Sequence, residues 1–158
     1  MNEGKRFEED FQNSIPEDIF YYRLRDAGGW KRGKDTRFTP SNICDLIIYK
    51  EPNLFLLELK STKGKSLPFS RVRDNQIKGL LNANTHRGLK TGLVLNFREL
   101  SKTYYLDIQK AKEYKEMGLR KSFPVDWISE NGILIEQEKK ITRYKYNIEK
   151  FIEEASID

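Results

Sequence analysis

Two apolar runs in this chain each carry one carboxylate: Asp45 in Ile43-Cys44-Asp45-Leu46-Ile47-Ile48, and Glu58 in Leu54-Phe55-Leu56-Leu57-Glu58-Leu59-Lys60. A half-buried charge is costly unless it is paired or bound to a cation. Side chains alternate along a strand, so Glu58 and Lys60 project together while Phe55, Leu57 and Leu59 project to the other side; Asp45, Ile47 and Tyr49 likewise share a face. Between the runs, Lys50-Glu51-Pro52-Asn53 has the composition of a tight reversal. With a two-residue loop at Glu51 and Pro52, Lys50 opposes Asn53, and counting back sets Asp45 opposite Glu58 with Cβ atoms about 4.5–5.5 Å apart. Two carboxylates that close repel one another, but they can share a hard divalent cation such as Mg²⁺, which takes oxygen ligands and keeps several waters. Lys60, one pleat along, could orient or deprotonate an attacking water, or stabilise charge gathering on a phosphate oxygen. That is phosphodiester hydrolysis in outline.

The Glu-x-Lys tripeptide also occurs at Glu3/Lys5, Glu113/Lys115 and Glu138/Lys140, so its strand context and the upstream Asp45 carry the weight. The competing reading is an ion pair that blunts an edge strand. Flanking residues favour chemistry. Positions 59–73 hold five basic residues, Lys60, Lys63, Lys65, Arg71 and Arg73, and no acidic one, a one-sidedness unusual for a merely solvated face. This stretch could grip phosphates beside a metal, with Ser61, Thr62 and Ser66 adding hydrogen bonds. Arg73 and Gln76 are three apart near the start of a following helix, where backbone NH groups favour anions, so Gln76 could contact the metal water or the scissile phosphate. Upstream, a long loop or protrusion at about 25–41 adds Arg25, Lys31, Arg32, Lys34 and Arg37 against Asp26 and Asp35, with Trp30 and Phe38 able to stack on bases; a solvated loop fits it equally.

The elements that must hold these residues read as an α/β chain. Phe7, Phe11 and Ile15, four apart, predict a helix over about 4–15 that stops before Pro16. Strands are expected at 19–24, 43–49, 54–60, 91–97 and 103–108, with a helix capped by Ser70 running to about 86, Gly88 just past its end, and another helix over about 109–117. Late in the chain, 133–135 and 141–146 are expected to pair as strands, followed by a helix from 148. The 158 residues suffice for one domain with its own core, and no second domain or repeat is visible.

Composition narrows the chemistry further. A net charge of +5 and a pI near 9.2 favour an anionic partner. One cysteine, Cys44, excludes a disulfide within the chain and a cysteine-cluster zinc site, and its apolar setting suggests a buried structural thiol. One histidine, His86, excludes a His-rich metal site and leaves no partner for a conventional nucleophile–base pair. No apolar run approaches a membrane span and no signal-like stretch opens the chain, so the expectation is a soluble cytoplasmic protein with no membrane role.

Taken in order, Gly4-Lys5-Arg6-Phe7-Glu8, Asp45, Glu58-Leu59-Lys60, Ser66-Leu67-Pro68-Phe69 and Gln76 resemble the RecU-type Holliday junction resolvases, of the PD-(D/E)XK nuclease superfamily, and their phage relatives. The resemblance spans roughly residues 1–110. It implies a restriction-endonuclease-like fold, a mixed β-sheet flanked by helices, and a Mg²⁺-dependent endonuclease, with Mn²⁺ able to substitute. It further implies a homodimer acting on four-way DNA junctions in recombination or repair, inside a bacterial cell or phage-infected host. By position it makes Asp45 and Glu58 metal ligands, Lys60 the residue serving the nucleophilic water, Glu8 a support for the metal or its water, and Gln76 an assistant, with Glu9 the fallback for Glu8. The 25–41 stretch stands where those enzymes have a projecting stalk but differs from it in composition, and 111–158 carries no transferable motif. A less structure-selective phage or restriction-type nuclease, or a non-catalytic DNA-binding protein on the same fold, shares much of this pattern.

One expectation follows from the basic flank. Neutralising Lys63 or Lys65 should each reduce the slope of log affinity for DNA against log salt by about one phosphate contact. A binding titration over a salt series measures this, and a flat salt dependence would contradict phosphate gripping there.

Overall fold

A computed structural model describes residues 1–25 and 41–157. The candidate DNA contacts Lys31, Arg32, Lys34 and Arg37, together with Trp30 and Phe38, lie outside the described residues. The first helix, α1 (Glu3–Asn13), starts at Asn2, whose side chain accepts a 2.8 Å hydrogen bond from the Lys5 amide, and it buries Phe7 and Phe11. After it, β1 (Phe20–Arg23) pairs antiparallel with β2 (Leu46–Lys50). Strand β2 turns through the cis Glu51–Pro52 bond into β3 (Asn53–Thr62), and Lys50 opposes Asn53 as a two-residue reversal requires.

Beyond β3 come β4 (Ser66–Pro68), a 3-10 turn at Phe69–Arg71, and α2 (Asp74–Asn84). Next are β5 (Leu89–Phe97), a 3-10 turn at Arg98–Leu100, β6 (Lys102–Asp107) and α3 (Ile108–Glu116). The chain continues with β7 (Ser122–Pro124), α4 (Val125–Asn131), β8 (Ile133–Leu134), β9 (Gln137–Lys140), β10 (Arg143–Tyr146) and α5 (Ile148–Ala155).

The main sheet has six strands in the order β1-β2-β3-β5-β6-β8, with β3 and β5 parallel and the other neighbours antiparallel. A parallel pair needs a crossover, and α2 supplies it. Alternate residues of the central strands feed two cores. Phe55, Leu57, Leu59 and Val94 pack with Phe7 and Phe11 of α1 and Phe151 of α5; Leu56, Leu93, Leu95 and Phe97 pack with Leu80 of α2, Tyr114 of α3 and Ile128 of α4. The result is the expected α/β architecture, a mixed sheet with helices on both faces. Burial on both faces explains why β3 reads as an almost unbroken apolar run in which a charge stands out.

Several expected elements shift. Helix α2 begins at Asp74 rather than near Ser70, with Arg73 as its N-cap, because Ser70 is held in the 3-10 turn that follows the pairing of β4 with β7. Gly88 does adopt the left-handed conformation, φ 86°, but in the turn into β5 and not at the end of α2, whose C-cap is Thr85. Among the late strands, 133–134 pairs with β6, while β10 pairs with the unanticipated β9 through a turn at the exposed Ile141.

Gly92 is the tightest backbone approach in the central sheet. A Cβ there would lie 2.4 Å from the Leu106 carbonyl oxygen and 2.6 Å from the Tyr105 ring. Gly92→Ala should therefore destabilise the fold by about 1–3 kcal/mol or more, read as a lower denaturant midpoint. An unchanged midpoint would show that β5 and β6 do not approach so closely.

Candidate active site

The chemistry-bearing residues gather where β2, β3, α1 and α2 meet. Asp45 sits one residue before β2, where the ladder with β3 ends at the Leu46–Leu57 pair, so the expected Asp45–Glu58 pairing is not part of the ladder; Asp45 is nonetheless near enough for its charge to raise the Glu58 carboxyl. Its backbone is clasped on both sides. The Asp45 amide donates to the Leu57 carbonyl at 3.0 Å, and the Leu24 amide donates to the Asp45 carbonyl at 2.8 Å. Its carboxylate is aimed as well, Oδ2 accepting a 2.8 Å hydrogen bond from the Leu59 amide.

Glu58 is only 1% exposed, and neither of its carboxylate oxygens has a hydrogen-bond partner among the described residues. Lys60 Nζ lies 2.8 Å from Oε1 as a close ion pair, but off the direction of a well-formed hydrogen bond. Burial pushes the Glu58 carboxyl up to about 7, and the Asp45 charge adds to this; the Lys60 ammonium and the Gln76 amide pull the other way. Gln76 is 2% exposed and fixed by the start of its helix, where Oε1 accepts a 3.2 Å hydrogen bond from the Arg73 amide. Cys44, beside both acids, has its thiol pushed up to about 12, chiefly by burial and then by Glu58 and Asp45, so it stays neutral.

Glu8 enters from α1. Burial raises its carboxyl above the ordinary value and Asp45 raises it further, while Arg23 and Lys60 lower it, which places it in the same electrostatic cluster. Its Oε2 accepts a 2.6 Å charged hydrogen bond from Arg23 Nη2. The fallback residue Glu9 instead pairs with Arg143 at 3.1 Å. Arg23 is the residue that sequence reasoning missed: it closes the exposed strand Phe20-Tyr21-Tyr22-Arg23, where no local pattern marks it.

The basic flank is an ordered ledge. Leu67 of β4 opposes Phe123 of β7, and the Val125 amide donates to the Lys65 carbonyl at 2.8 Å, so Lys63 and Lys65 project from a pinned segment. Arg71 Nη2 donates to the Ser61 carbonyl at 3.1 Å, which brings its guanidinium back to the end of β3. Lys63 lies 3.9 Å from Glu99 with both side chains largely in solvent, a pairing that water and salt readily release. Arg73 is exposed at the start of α2.

An all-oxygen donor set containing an unsatisfied, buried carboxylate suits a hard divalent cation. Among the described residues no three His, Cys, Asp or Glu side chains are grouped closely enough to hold a metal ion together, so Glu8 does not join Asp45 and Glu58 as a third ligand in this arrangement. Asp45 and Glu58 would thus supply part of a coordination shell, the remainder falling to water and substrate oxygens, as is usual for Mg²⁺.

The fold is similar to that of Hjc from Archaeoglobus fulgidus, a Holliday junction resolvase, with a TM-score of 0.54 at 16% identity, covering 83% of this chain and 95% of that one. At that identity the likeness is one of fold. The sequence is more specific. This chain belongs to the Recombination protein U (RecU) family, whose model matches residues 31–150. It is also 30% identical over 167 residues to the SPbeta prophage-derived uncharacterized protein YotM of Bacillus subtilis (strain 168), spanning 94% of this chain and 84% of that one. The family match contains Asp45, Glu58, Lys60 and Gln76, while Glu8 lies upstream of it.

The buried Glu58 has a measurable consequence for stability. Its folded-state pKa, about 7, lies above the ordinary 4.5, so between those values the native state binds more protons than the unfolded chain and stability falls as pH rises. Without divalent cation, Glu58→Gln should gain on the wild type between pH 5 and 8, by an amount on the order of 2 kcal/mol. Parallel denaturation curves for the two proteins across this range would contradict the assignment.

Proposed function

We propose that this chain is a metal-dependent endonuclease that hydrolyses phosphodiesters in branched DNA, resolving Holliday junctions in recombination or repair. The observation that carries the proposal is the buried Glu58 carboxylate, without a hydrogen-bond partner among the described residues, with the Asp45 charge near enough to raise it and Lys60 beside it. Family membership supports the role in recombination, and the resolvase fold supports the junction as substrate.

Asp45 and Glu58 would hold Mg²⁺, or Mn²⁺ in its place, with Glu8 supporting the site. When bound, such a cation lowers the pKa of a coordinated water and neutralises charge on phosphate oxygens. The chain's own residues do the rest. The Leu59 amide fixes the direction of the Asp45 carboxylate. Lys60, 20% exposed, is the side chain that can receive a proton from the attacking water or donate a hydrogen bond to the phosphate oxygen that gains charge. Gln76, locked by the cap of α2, presents a fixed amide on the same side. Lys63, Lys65, Arg71 and Arg73 neutralise the DNA backbone leading to the cut.

Two matched cuts across a four-way junction call for two such sites, so the active species is proposed to be a homodimer. Among the described residues no helix is long and apolar enough to cross a membrane, which accords with a cytoplasmic enzyme of a bacterial cell or phage-infected host.

Asp45→Asn and Glu58→Gln should each abolish Mg²⁺-dependent cleavage of a synthetic four-way junction while retaining binding in EDTA. Lys60→Met should lower the rate by about 10²–10⁴-fold. Undiminished cleavage by the acid variants would overturn the proposal, and equal cleavage of linear duplex would remove its junction selectivity.

A further inference from the structure

Strands β3 and β5 end side by side, Ser61 paired with Asn96 and Thr62 with Phe97. Ser61 points to the opposite face from Lys60 and opens a buried polar run. Its Oγ donates to Asn96 Oδ1 at 2.8 Å, Asn96 Nδ2 donates to Thr103 Oγ1 at 2.9 Å, and Thr103 Oγ1 donates to Gln137 Oε1 at 2.6 Å. Arg98, just past β5, donates from Nη1 to Ser61 Oγ at 3.2 Å and is thereby tethered beside the catalytic strand.

Arg98 also lines a cavity of about 270 Å³ between the start of α1, the end of β5 and the β9–β10 hairpin. Arg6 and Lys139 line it too, and among the described residues none of these three cations has an ion-pair partner. Arg6 instead donates to the Thr142 carbonyl. Of the two acids at the wall, Asp10 is taken by Arg143 at 2.5 Å and by the Tyr144 amide at 3.1 Å, which leaves the exposed Glu3. Two half-buried guanidinium groups and a lysine at one cavity, outnumbering the single exposed acid left at its wall and ion-paired with none among the described residues, make an anion site, and the planar fork of arginine suits phosphate.

We propose that this cavity is a second phosphate subsite, in which Arg98, Arg6 and Lys139 hold a backbone phosphodiester of the DNA whose scissile bond lies at the carboxylates. The inference rests on the nuclease reading for its ligand. Backbone DNA is favoured over a free anion because the cavity is lined by Asn96 and Arg98 at the end of β5, beside the end of the catalytic strand: Ser61, which tethers Arg98, directly follows Lys60. A strand crossing that edge meets the carboxylates on one side of β3 and the cavity on the other. Contacts of this kind fix the register of DNA without reading its sequence.

The test uses full-length protein and a fluorescent four-way junction in EDTA, titrated over a salt series. Arg98→Gln and Lys139→Gln should each lower the slope of log affinity against log salt by about 0.9, which makes the affinity loss over a fourfold rise in salt about 3.5-fold smaller. Arg98→Lys should restore the slope, since it returns the charge. A methylphosphonate scan outward from the cut should find one position that weakens the wild type but not Lys139→Gln, whose side chain is exposed and is no part of the core. Wild-type cleavage with unchanged slopes in both glutamine variants would overturn the subsite alone, as would displacement of the junction by millimolar inorganic phosphate without any slope change. Arg98-dependent binding by a wild type that never cuts would keep the subsite and overturn the nuclease reading.

Discussion

A carboxylate buried in the central strand, without a hydrogen-bond partner among the described residues, is the constraint around which the rest of this molecule is arranged. Glu58 lies in the most enclosed part of β3, and burial together with Asp45 raises its carboxyl to about 7. Stability alone would favour an aliphatic side chain there, as at Leu56, Leu57 and Leu59 on either side. Its neighbours are held by backbone rather than by one another: the Leu59 amide orients Asp45, and the cap of α2 orients Gln76. A site whose walls are fixed independently of its charge loses little geometry when its charge state changes. Local cost combined with prior organisation is what a catalytic centre demands.

The sheet converts strand alternation into a division of labour. Along β3 one face runs Leu56, Glu58, Lys60 and the other Leu57, Leu59, Ser61, so each face passes from apolar core to polar edge at the same end. The parallel neighbour β5 ends in step with it and delivers Asn96 and Arg98 to that edge. On α1 the hairpin β9–β10 takes Glu9 and Asp10 through Arg143, and Ser14 through the Tyr146 amide, which fixes the rotation of the helix. One residue back, about 100° around the helix, Glu8 is thereby turned to Arg23 and the carboxylate cluster. The C-terminal third, silent in sequence, thus sets the direction of an N-terminal side chain.

What was legible in the sequence followed the physics that is local. The β2–β3 register could be counted because strand period and turn composition fix it, and Phe7, Phe11 and Ile15 marked the buried stripe beginning in α1 because spacing alone decides which face a helix buries. Ser70 misled because its cap chemistry is real but overridden. Phe69 packs edge-on against Tyr114 and Phe123, and that contact holds the preceding turn and delays the helix to Asp74. Arg23 and Arg98 were invisible for a different reason: each gains its role from a partner 15 or 37 residues away, and a lone arginine carries no periodicity. The pairing of 133–134 with β6 rather than with a later strand is equally non-local.

Charge accounting links these features to the proposed chemistry. The cluster holds three carboxylates, Glu8, Asp45 and Glu58, and the cations set among them are Lys60, 2.8 Å from Glu58, and Arg23, 2.6 Å from Glu8. Each cation is only partly buried, 20% and 36% exposed, while its acid is the more enclosed partner. On the nuclease reading, carboxylates engaged in binding a divalent cation release Lys60 and Arg23 toward solvent, the side from which a DNA backbone arrives. The exchange keeps Glu8 and Glu58 compensated before and after: each with its base in the free protein, then acid with cation and base with phosphate in the complex. A site neutralised in this way can stay folded without its substrate and still present positive charge once loaded, which explains why ion pairs occupy the place where an apolar core would have been more stable.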